Sequence, residues 1–334
     1  MVGAVLLYED KIIGEGYHEI YGGPHAEVNC ITSVSENDKQ HIPKSTMYVS
    51  LEPCVHFGKT PPCADLIIKN KIPKVVIGCH DPFKDVDGKG IEKLKAAGVV
   101  VELGILEKEC IALNKRFFTF HKQQRPYIIL KWAETADGFI ATLNPPEGGT
   151  LRGSDSSRLF ISNEYSNRLV HKWRSEEAAI LVGTNTALLD NPELTTRLWP
   201  GTSPIRLVLD LNLRLPSSLK LFDGKHKTIV FNKQKHEEQE ILFYYKINGD
   251  KGIIQQVLNA LYNLKIQSVL VEGGATLLQS FIEEGLWDEA RIIKSSALKI
   301  QGGLAAPVLT NEIKIDQQII KTDKIEIYRR DLEH

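Results

Sequence analysis

Residues 24–30 read Pro-His-Ala-Glu-Val-Asn-Cys, and residues 51–63 read Leu-Glu-Pro-Cys-Val-His-Phe-Gly-Lys-Thr-Pro-Pro-Cys. One histidine and two cysteines, His25, Cys54 and Cys63, supply three ligands for a tetrahedral zinc and leave the fourth position to water. An open fourth position marks a catalytic metal, and no further ligand follows at matching spacing. Glu27 lies two residues past His25 and is not needed for coordination, so it is placed to carry the proton of a water that bound zinc acidifies. Outward from these two segments, apolar runs alternate with amphipathic stretches. Residues 2–8, 46–51, 74–78 and 99–103 read as strands. Residues 90–98, GIEKLKAAG, have helical spacing closed by a glycine before a β-branched run and read as the helix of a crossover connection. That alternation predicts an α/β fold.

A chain of 334 residues is too long for one ordinary core and predicts two domains. With 42% hydrophobic residues, 25% charged residues and a formal net charge of −1, the composition is that of a soluble globular protein with no basic field to hold a polyanion. Nucleic acid is therefore disfavoured as a partner. The sequence shows neither a leader pattern nor an apolar run near the roughly 20 residues a spanning helix needs, so a cytoplasmic protein with no membrane partner is expected. All five cysteines fall within residues 1–110, and an odd number argues for metal or catalysis over a disulfide framework. The polar run 121–125, HKQQR, precedes Pro126. The predicted boundaries are a first domain over 1–121, a linker at 122–126 and a second domain over 127–331, with 332–334 set aside as a tag remnant.

Past the linker the pattern restarts, with strands at 127–132, 178–182, 205–210, 227–231 and 268–271 and a Pro- and Gly-rich loop at 144–153. Residues 268–274, SVLVEGG, read as a buried strand entering a Gly-Gly turn. A helix follows in which Leu277, Leu278, Phe281 and Ile282 share one face. Its N-terminus offers free amides and a positive dipole end to a phosphate. Alone this signal is weak, because the dinucleotide fingerprint G-x-G-x-x-G is absent.

The zinc-deaminase signature pairs H-x-E with P-C-x-x-C. The first half matches here, whereas eight residues separate Cys54 from Cys63. With PHAEVNC, LEPCVHFGKTPPC and the preceding MVGAV, the chain closely resembles the bifunctional riboflavin-pathway deaminase-reductases, whose two cysteines flank such an insertion. The likeness extends into the second half through KWAETADG (131–138) and ILVGTNTALLDNPELTTR (180–197). It implies a cytidine-deaminase-like three-layer α/β/α domain followed by a dihydrofolate-reductase-like α/β domain. The implied substrate is a diaminopyrimidinone bearing a ribosylamino 5-phosphate, which loses ammonia and is then reduced at ribose C1 by NADPH.

By the same resemblance, His18, Lys59 and Asp81 contact the deaminase substrate, with Lys59 suited to the 5-phosphate as a point charge. Phe83 departs from the usual residue after Asp81-Pro82. Lys131, Arg174, Leu194, Arg197 and Glu272 are implied on the reductase substrate, Lys131 to polarise or protonate the sugar oxygen. Arg174 and Arg197 suit a bidentate grip on phosphate. Thr186 and Asp190 are implied at the nicotinamide, Asp190 together with Lys131 as a catalytic candidate. Gly274, Ala275, Thr276, Leu277, Leu278, Gln279 and Ser280 are implied by the resemblance to cradle cofactor phosphate. Glu134 stands where the family has a small residue beside the cofactor and is expected to point away from the phosphates; Phe160 stands where it has Trp.

Competing classes are a nucleoside or tRNA deaminase with an unrelated appended domain, a binding protein without turnover, and a reductase with an impaired deaminase half. The near-neutral charge and the long cysteine spacing count against the first, and the presence of Glu27 against the second. A homo-oligomer is the expected assembly. In the resembling family a helix and a Pro-Asn-Pro turn precede the first strand, and the Asn reaches the pyrimidine. Met1 falls just after that position, so the expectation is that Met1 is not the natural start and that the deaminase half lacks this helix and contact.

Overall fold

The computed structural model describes residues 1–20, 22–55, 57, 61–83, 86–142, 160–249 and 251–331. Lys59, the expected loop at 144–153 and residues 332–334 lie outside the described residues. The chain divides into two compact units, Met1–Gln123 and Gln124–His334.

In the first unit β1 (Gly3–Tyr8), β2 (Lys11–Tyr17), β3 (Thr46–Leu51), β4 (Lys74–Cys79) and β5 (Val100–Leu103) form a sheet of order β2-β1-β3-β4-β5. β1 runs antiparallel to both neighbours, and β3, β4 and β5 run parallel. One face carries Ala4, Leu6, Met47, Val49, Val75 and Ile77. These pack with apolar residues of α1 (Ala26–Thr32), α2 (Cys63–Lys69) and α3 (Lys89–Ala96). Gly78 lies on the opposite face, where a Cβ would come within 2.2 Å of the Cys110 sulfur, so this glycine admits α4 (Glu107–Leu113). Helices on both faces make the expected three-layer arrangement. α5 (Lys115–Gln123) closes the unit, so helix continues into the stretch read as a linker.

The second unit contains β6 (Tyr127–Glu134), β7 (Phe139–Ala141), α6 (Glu164–Glu176), β8 (Ala179–Gly183), α7 (Thr184–Asp190), β9 (Ile205–Leu209), β10 (Thr228–Asn232), β11 (Glu237–Glu238), β12 (Leu242–Lys246), α8 (Ile253–Asn263), β13 (Ser268–Val271), α9 (Ala275–Glu283), β14 (Glu289–Ser295), β15 (Leu304–Ala305), β16 (Glu312–Ile320) and β17 (Asp323–Arg330). Among the described residues its main sheet has the order β11-β12-β10-β9-β8-β13-β6-β14-β17-β16. The run from β12 to β14 is parallel and must be covered on both faces.

The strands therefore read as continuous apolar runs whose alternate residues serve two cores. Ile128, Leu130, Trp132, Leu181, Val269 and Val271 meet α8 and α9. Tyr127, Ile129, Ile180, Val182 and Leu270 meet Val170 and Trp173 of α6 and Ala187 of α7. Arg125, within the expected linker, is buried and grips Asp288 with two hydrogen bonds of 2.6 and 2.7 Å. No helix among the described residues is long and apolar enough to cross a membrane.

Candidate functional site

His25 sits at the N-terminal boundary of α1, Cys54 follows β3, and Cys63 opens α2. The chain is folded back there by Ala64 N–H donating to the Cys54 carbonyl at 3.1 Å, while Cys63 N–H donates to the Cys54 sulfur at 3.4 Å. The His25 Nδ1 atom lies 3.5 Å from the Cys54 Sγ and 3.3 Å from the Cys63 Sγ. Tetrahedral zinc with ordinary bond lengths separates a nitrogen and a sulfur ligand by about 3.6 Å. The donor set fits that ion, and among the described residues it is the group of three His, Cys, Asp or Glu side chains close enough to hold a metal.

The Cys63 thiol hydrogen-bonded to Cys54 pulls Cys54 down to about 4, helped by His25, while the same pairing and burial push Cys63 up. Such a concentration of acceptor charge is what a divalent cation satisfies. One zinc per chain is the expected stoichiometry by elemental analysis, falling close to zero in Cys63→Ala; a Cys63→Ala protein that kept full zinc would remove Cys63 from the ligand set.

Around the trio, Glu27 is 3% exposed in the first turn of α1, and burial pushes its carboxyl above the usual carboxylate range. His18 stands edge-on to His25 with ring centroids 5.3 Å apart, and its Nε2 is buried without a hydrogen-bond partner. Asp81 is buried and accepts the Phe83 N–H at 2.8 Å. Phe83, the departure noted above, packs with Val86 against the two cysteines and supplies an apolar wall.

Sequence reasoning passed over Glu52. Its buried carboxylate accepts N–H bonds from Asp81 at 3.3 Å, Gly88 at 3.0 Å, Gly90 at 2.9 Å and Ile91 at 3.2 Å. It thereby ties the Asp81 loop and the start of α3 to the segment bearing Cys54. Its place in Glu-Pro-Cys was a signal; its partners, 29 to 39 residues away, were not visible.

In the second unit Lys131 of β6 lies level with the carboxyl end of its parallel neighbour β13, which leads through Glu272 to Gly273 and Gly274, while β8 on the far side of β13 leads into α7. The crevice beyond the carboxyl ends of such strands is where open α/β sheets take ligands. By the two-residue period Lys131 and Glu272 share the face covered by α6. Glu272 accepts Arg174 Nε and Nη2, each at 2.7 Å, and lies 3.8 Å from the Lys131 Nζ. Burial raises the Glu272 carboxyl, but Arg174 and Lys131 outweigh it and bring it down to about 2.

Arg174, expected on the substrate phosphate, meets a carboxylate of its own chain here. Its fork is spent on a carboxylate 8% exposed, and Nη1 reaches the Thr195 carbonyl at 3.3 Å. A buried carboxylate needs a counter-ion, and Arg174 is the group that reaches it. Arg197 remains half exposed, bonded to Glu193 at 2.8 Å and to the Thr195 hydroxyl at 3.0 Å. Leu194 beside it is buried with a φ of 55°. His171, to which sequence reasoning gave no role, accepts the Arg197 N–H on Nδ1 at 3.0 Å; it lies three residues before Arg174, on the same helix face.

The Gly-Gly turn is set by packing. Gly273 has a φ of +120°, and a Cβ on Gly274 would stand 3.0 Å from the Thr186 hydroxyl. Behind the turn α9 presents first-turn amides with no intrahelical acceptor. A groove runs between Ala275, Thr276, Gln279, Ser280 and Glu283 on one side and residues 305–307 on the other. This cradle suits a dinucleotide phosphate.

The Leu277 and Leu278 side chains lie in the core, and the Leu278 N–H is spent on the Gly274 carbonyl at 3.0 Å. Gln279 and Ser280 are engaged within the unit, with Val308 N–H and the Thr276 carbonyl. Asp190 is exposed at the end of α7, and Phe160 is 63% exposed. The Glu134 carboxylate is held by Trp132 Nε1 at 2.9 Å and Lys294 Nζ at 3.2 Å, on the face opposite Lys131. Lys294 offsets its charge, which removes the repulsion a bare carboxylate would bring.

Residues 126–332 match the family described as RibD C-terminal domain, and residues 1–79 match the cytidine and deoxycytidylate deaminase zinc-binding region. The riboflavin biosynthesis protein RibD of Aquifex aeolicus is 41% identical over 312 residues, covering 90% of this chain and 81% of that protein. The RibD of Actinobacillus pleuropneumoniae is 37% identical, covering 99% and 88%. Among solved structures, the diaminohydroxyphosphoribosylaminopyrimidine deaminase/5-amino-6-(5-phosphoribosylamino)uracil reductase of Thermotoga maritima superposes with a TM-score of 0.84 at 34% identity, covering 98% of this chain and 91% of that one. Acinetobacter baumannii RibD gives 0.85 at 30% identity with the same coverage. A deaminase zinc-binding unit followed by an α/β unit that matches the RibD C-terminal domain, with this likeness along nearly its whole length, places the chain in the RibD family of bifunctional deaminase-reductases of riboflavin biosynthesis.

Proposed function

We propose that the first unit hydrolyses 2,5-diamino-6-(5-phosphoribosylamino)pyrimidin-4-one, and that the second reduces the ribosyl group of the product to ribityl, in the cytoplasm and as a homo-oligomer. The partner is this small phosphorylated pyrimidine and not a nucleic acid, in keeping with a net charge of −1. The observation that carries the proposal is the convergence of His25, Cys54 and Cys63 beside buried Glu27, in a chain whose second unit gathers Lys131 and Glu272 next to a Gly-Gly turn.

Zinc held by the trio supplies Lewis-acid activation of water. Glu27 takes the water proton and passes it toward the ring and the departing amine, so that a C–O bond forms, a C–N bond breaks and ammonia leaves. His18, through its orphaned Nε2, and Asp81 orient the base and ribose, and Lys59 takes the 5-phosphate.

NADPH supplies the hydride in the second unit. Thr186, Asp190 and Phe160 orient the nicotinamide end, and the first-turn amides of α9, from Ala275 to Leu277, take phosphate ahead of the Leu278 N–H, which donates to the Gly274 carbonyl at 3.0 Å. Lys131 protonates the sugar oxygen as the ring opens, held in place by Glu272, which Arg174 in turn fixes. Leu194 shapes the pocket, and Arg197, with its exposed guanidinium, takes the substrate phosphate.

Lys131→Ala and Asp190→Ala are expected to cut NADPH oxidation at least tenfold, since positioned proton transfer contributes roughly 10²-fold or more. Ammonia release should stay near wild type, because the two sites belong to separate compact units. Parallel assays of the two activities check this. Equal loss of both, in a protein that still melts like wild type, would argue for a single shared site.

A further inference from the structure

His171 belongs to no step described above, yet it is among the most enclosed polar side chains of the second unit, 2% exposed on the inner face of α6. Its Nδ1 accepts the Arg197 backbone N–H at 3.0 Å, and the Thr195 backbone hydrogen-bonds the same ring. One turn further along the helix, Arg174 donates to the Thr195 carbonyl at 3.3 Å. From the far side Ser203 accepts the Thr196 N–H at 3.1 Å. The strand of loop between Leu194 and Arg197 is thus clamped through its backbone, with Leu194 buried at a φ of 55° and the Arg197 guanidinium left reaching toward solvent.

We propose that His171 is a positioning residue of the reductase site: by accepting the Arg197 N–H it sets the conformation of residues 194–197, and so aims the Arg197 guanidinium at the substrate phosphate. The inference rests on the assignment of Arg197 to the substrate. Only an acceptor at Nδ1 serves this purpose, which requires the ring to stay unprotonated at that atom. The surroundings agree. The charged groups that face the ring are Arg174 on its own helix, Arg197 on the loop and Glu272 at the end of β13, and burial with the two cations holds the imidazole down to about 4.

Three variants and one spectrum test this. His171→Leu removes the acceptor and is expected to raise the KM for the phosphorylated pyrimidine about tenfold, the worth of one buried hydrogen bond. The KM for NADPH and the rate of ammonia release should not move. His171→Gln, whose amide oxygen can accept the same N–H, should return most of the loss. Leu and Gln variants with the same substrate KM would overturn the proposal, as would a His171→Leu protein with wild-type KM alongside an impaired Arg197→Ala. Unchanged substrate KM in Arg197→Ala would overturn the assignment of Arg197 itself, and the inference with it, and is told apart by that variant alone. Because a leucine variant can fail to fold, 15N spectra of histidine-labelled wild type supply an independent reading, with the His171 signal identified by its loss in His171→Gln. A bare Nδ1 throughout pH 5.5 to 8 is expected; a ring that titrates near 6.5, or carries its proton on Nδ1, would sink the proposal.

Discussion

Replacing Glu272 by leucine should destabilise the second unit by about 3 to 5 kcal/mol, the usual cost of removing one partner from a buried ion pair. Glu272 and Arg174 are both nearly enclosed, 8% and 12% exposed, and are joined by two charge-assisted bonds of 2.7 Å. Leucine leaves the guanidinium in place with no anion to receive it, and leaves Lys131 without its neighbour at 3.8 Å. An exposed pair would be worth only about 0 to 1 kcal/mol, so the size of the loss reports how dry the site is. Adding Arg174→Met to the leucine variant should recover part of the stability, since an apolar pair carries no stranded charge. All four tryptophans, Trp132, Trp173, Trp199 and Trp287, belong to the second unit, so urea titration followed by tryptophan emission reads its unfolding without interference from the first. A loss under 1 kcal/mol would mean that water reaches the pair.

The same titration has a pH signature. Glu272 is brought down to about 2 from an ordinary 4.5, so its stabilising share is complete above 4.5 and disappears as pH falls toward 2. His171 acts in a higher window. Held near 4 against an ordinary 6.5, it disfavours the folded state progressively as pH falls from 6.5 toward 4, because the unfolded chain takes the proton first. Acid lability of the second unit should therefore begin with His171, and the gap between wild type and Glu272→Gln should close only below pH 4.5.

What could be read in advance, and what could not, follows from how each residue is satisfied. β3 and β13 were legible because β-branched and apolar residues dominate them, and the zinc trio because few other chemistries need one histidine and two cysteines beside a free carboxylate. β14 was not legible. Glu289, Arg291 and Lys294 break its apolar run, and only the fold shows Arg291 bonded to Glu289 at 2.6 Å and stacked on Trp173 at 5.0 Å. β2 was hidden by Gly14 and Gly16, which weaken any strand signal. Those glycines are there because α1 presses on the strand, so that a Cβ on Gly16 would stand 2.3 Å from the Cys30 nitrogen. Arg174 was recognisable as a cation of the site, but its partner lies 98 residues away, and sequence cannot tell a fork aimed at a ligand from one spent on a neighbour. Glu52 and His171 were missed for a related reason. Each serves backbone amides, which carry no residue identity to recognise.

Glu27→Gln should leave zinc content unchanged while lowering the turnover of deamination by about 10²-fold or more. The metal is expected to stay because the atoms that converge are His25 Nδ1 and the two sulfurs, and the glutamate is not among them. The fold is expected to stay because glutamine is nearly isosteric in a position 3% exposed. What the amide cannot do is accept a proton and hand it on. Placed in the first turn of α1, two residues beyond a ligand, the carboxylate is rigid and shielded from bulk water, so no solvent base can substitute for it at comparable effective concentration. The loss should therefore fall on kcat, with the KM for the diaminopyrimidinone phosphate little changed, since base and ribose are assigned to His18 and Asp81. NADPH oxidation, measured with the deaminated compound supplied directly, should match wild type. A variant that lost its zinc would return Glu27 to the ligand set, and one that retained both zinc and turnover would assign the proton transfer to another group.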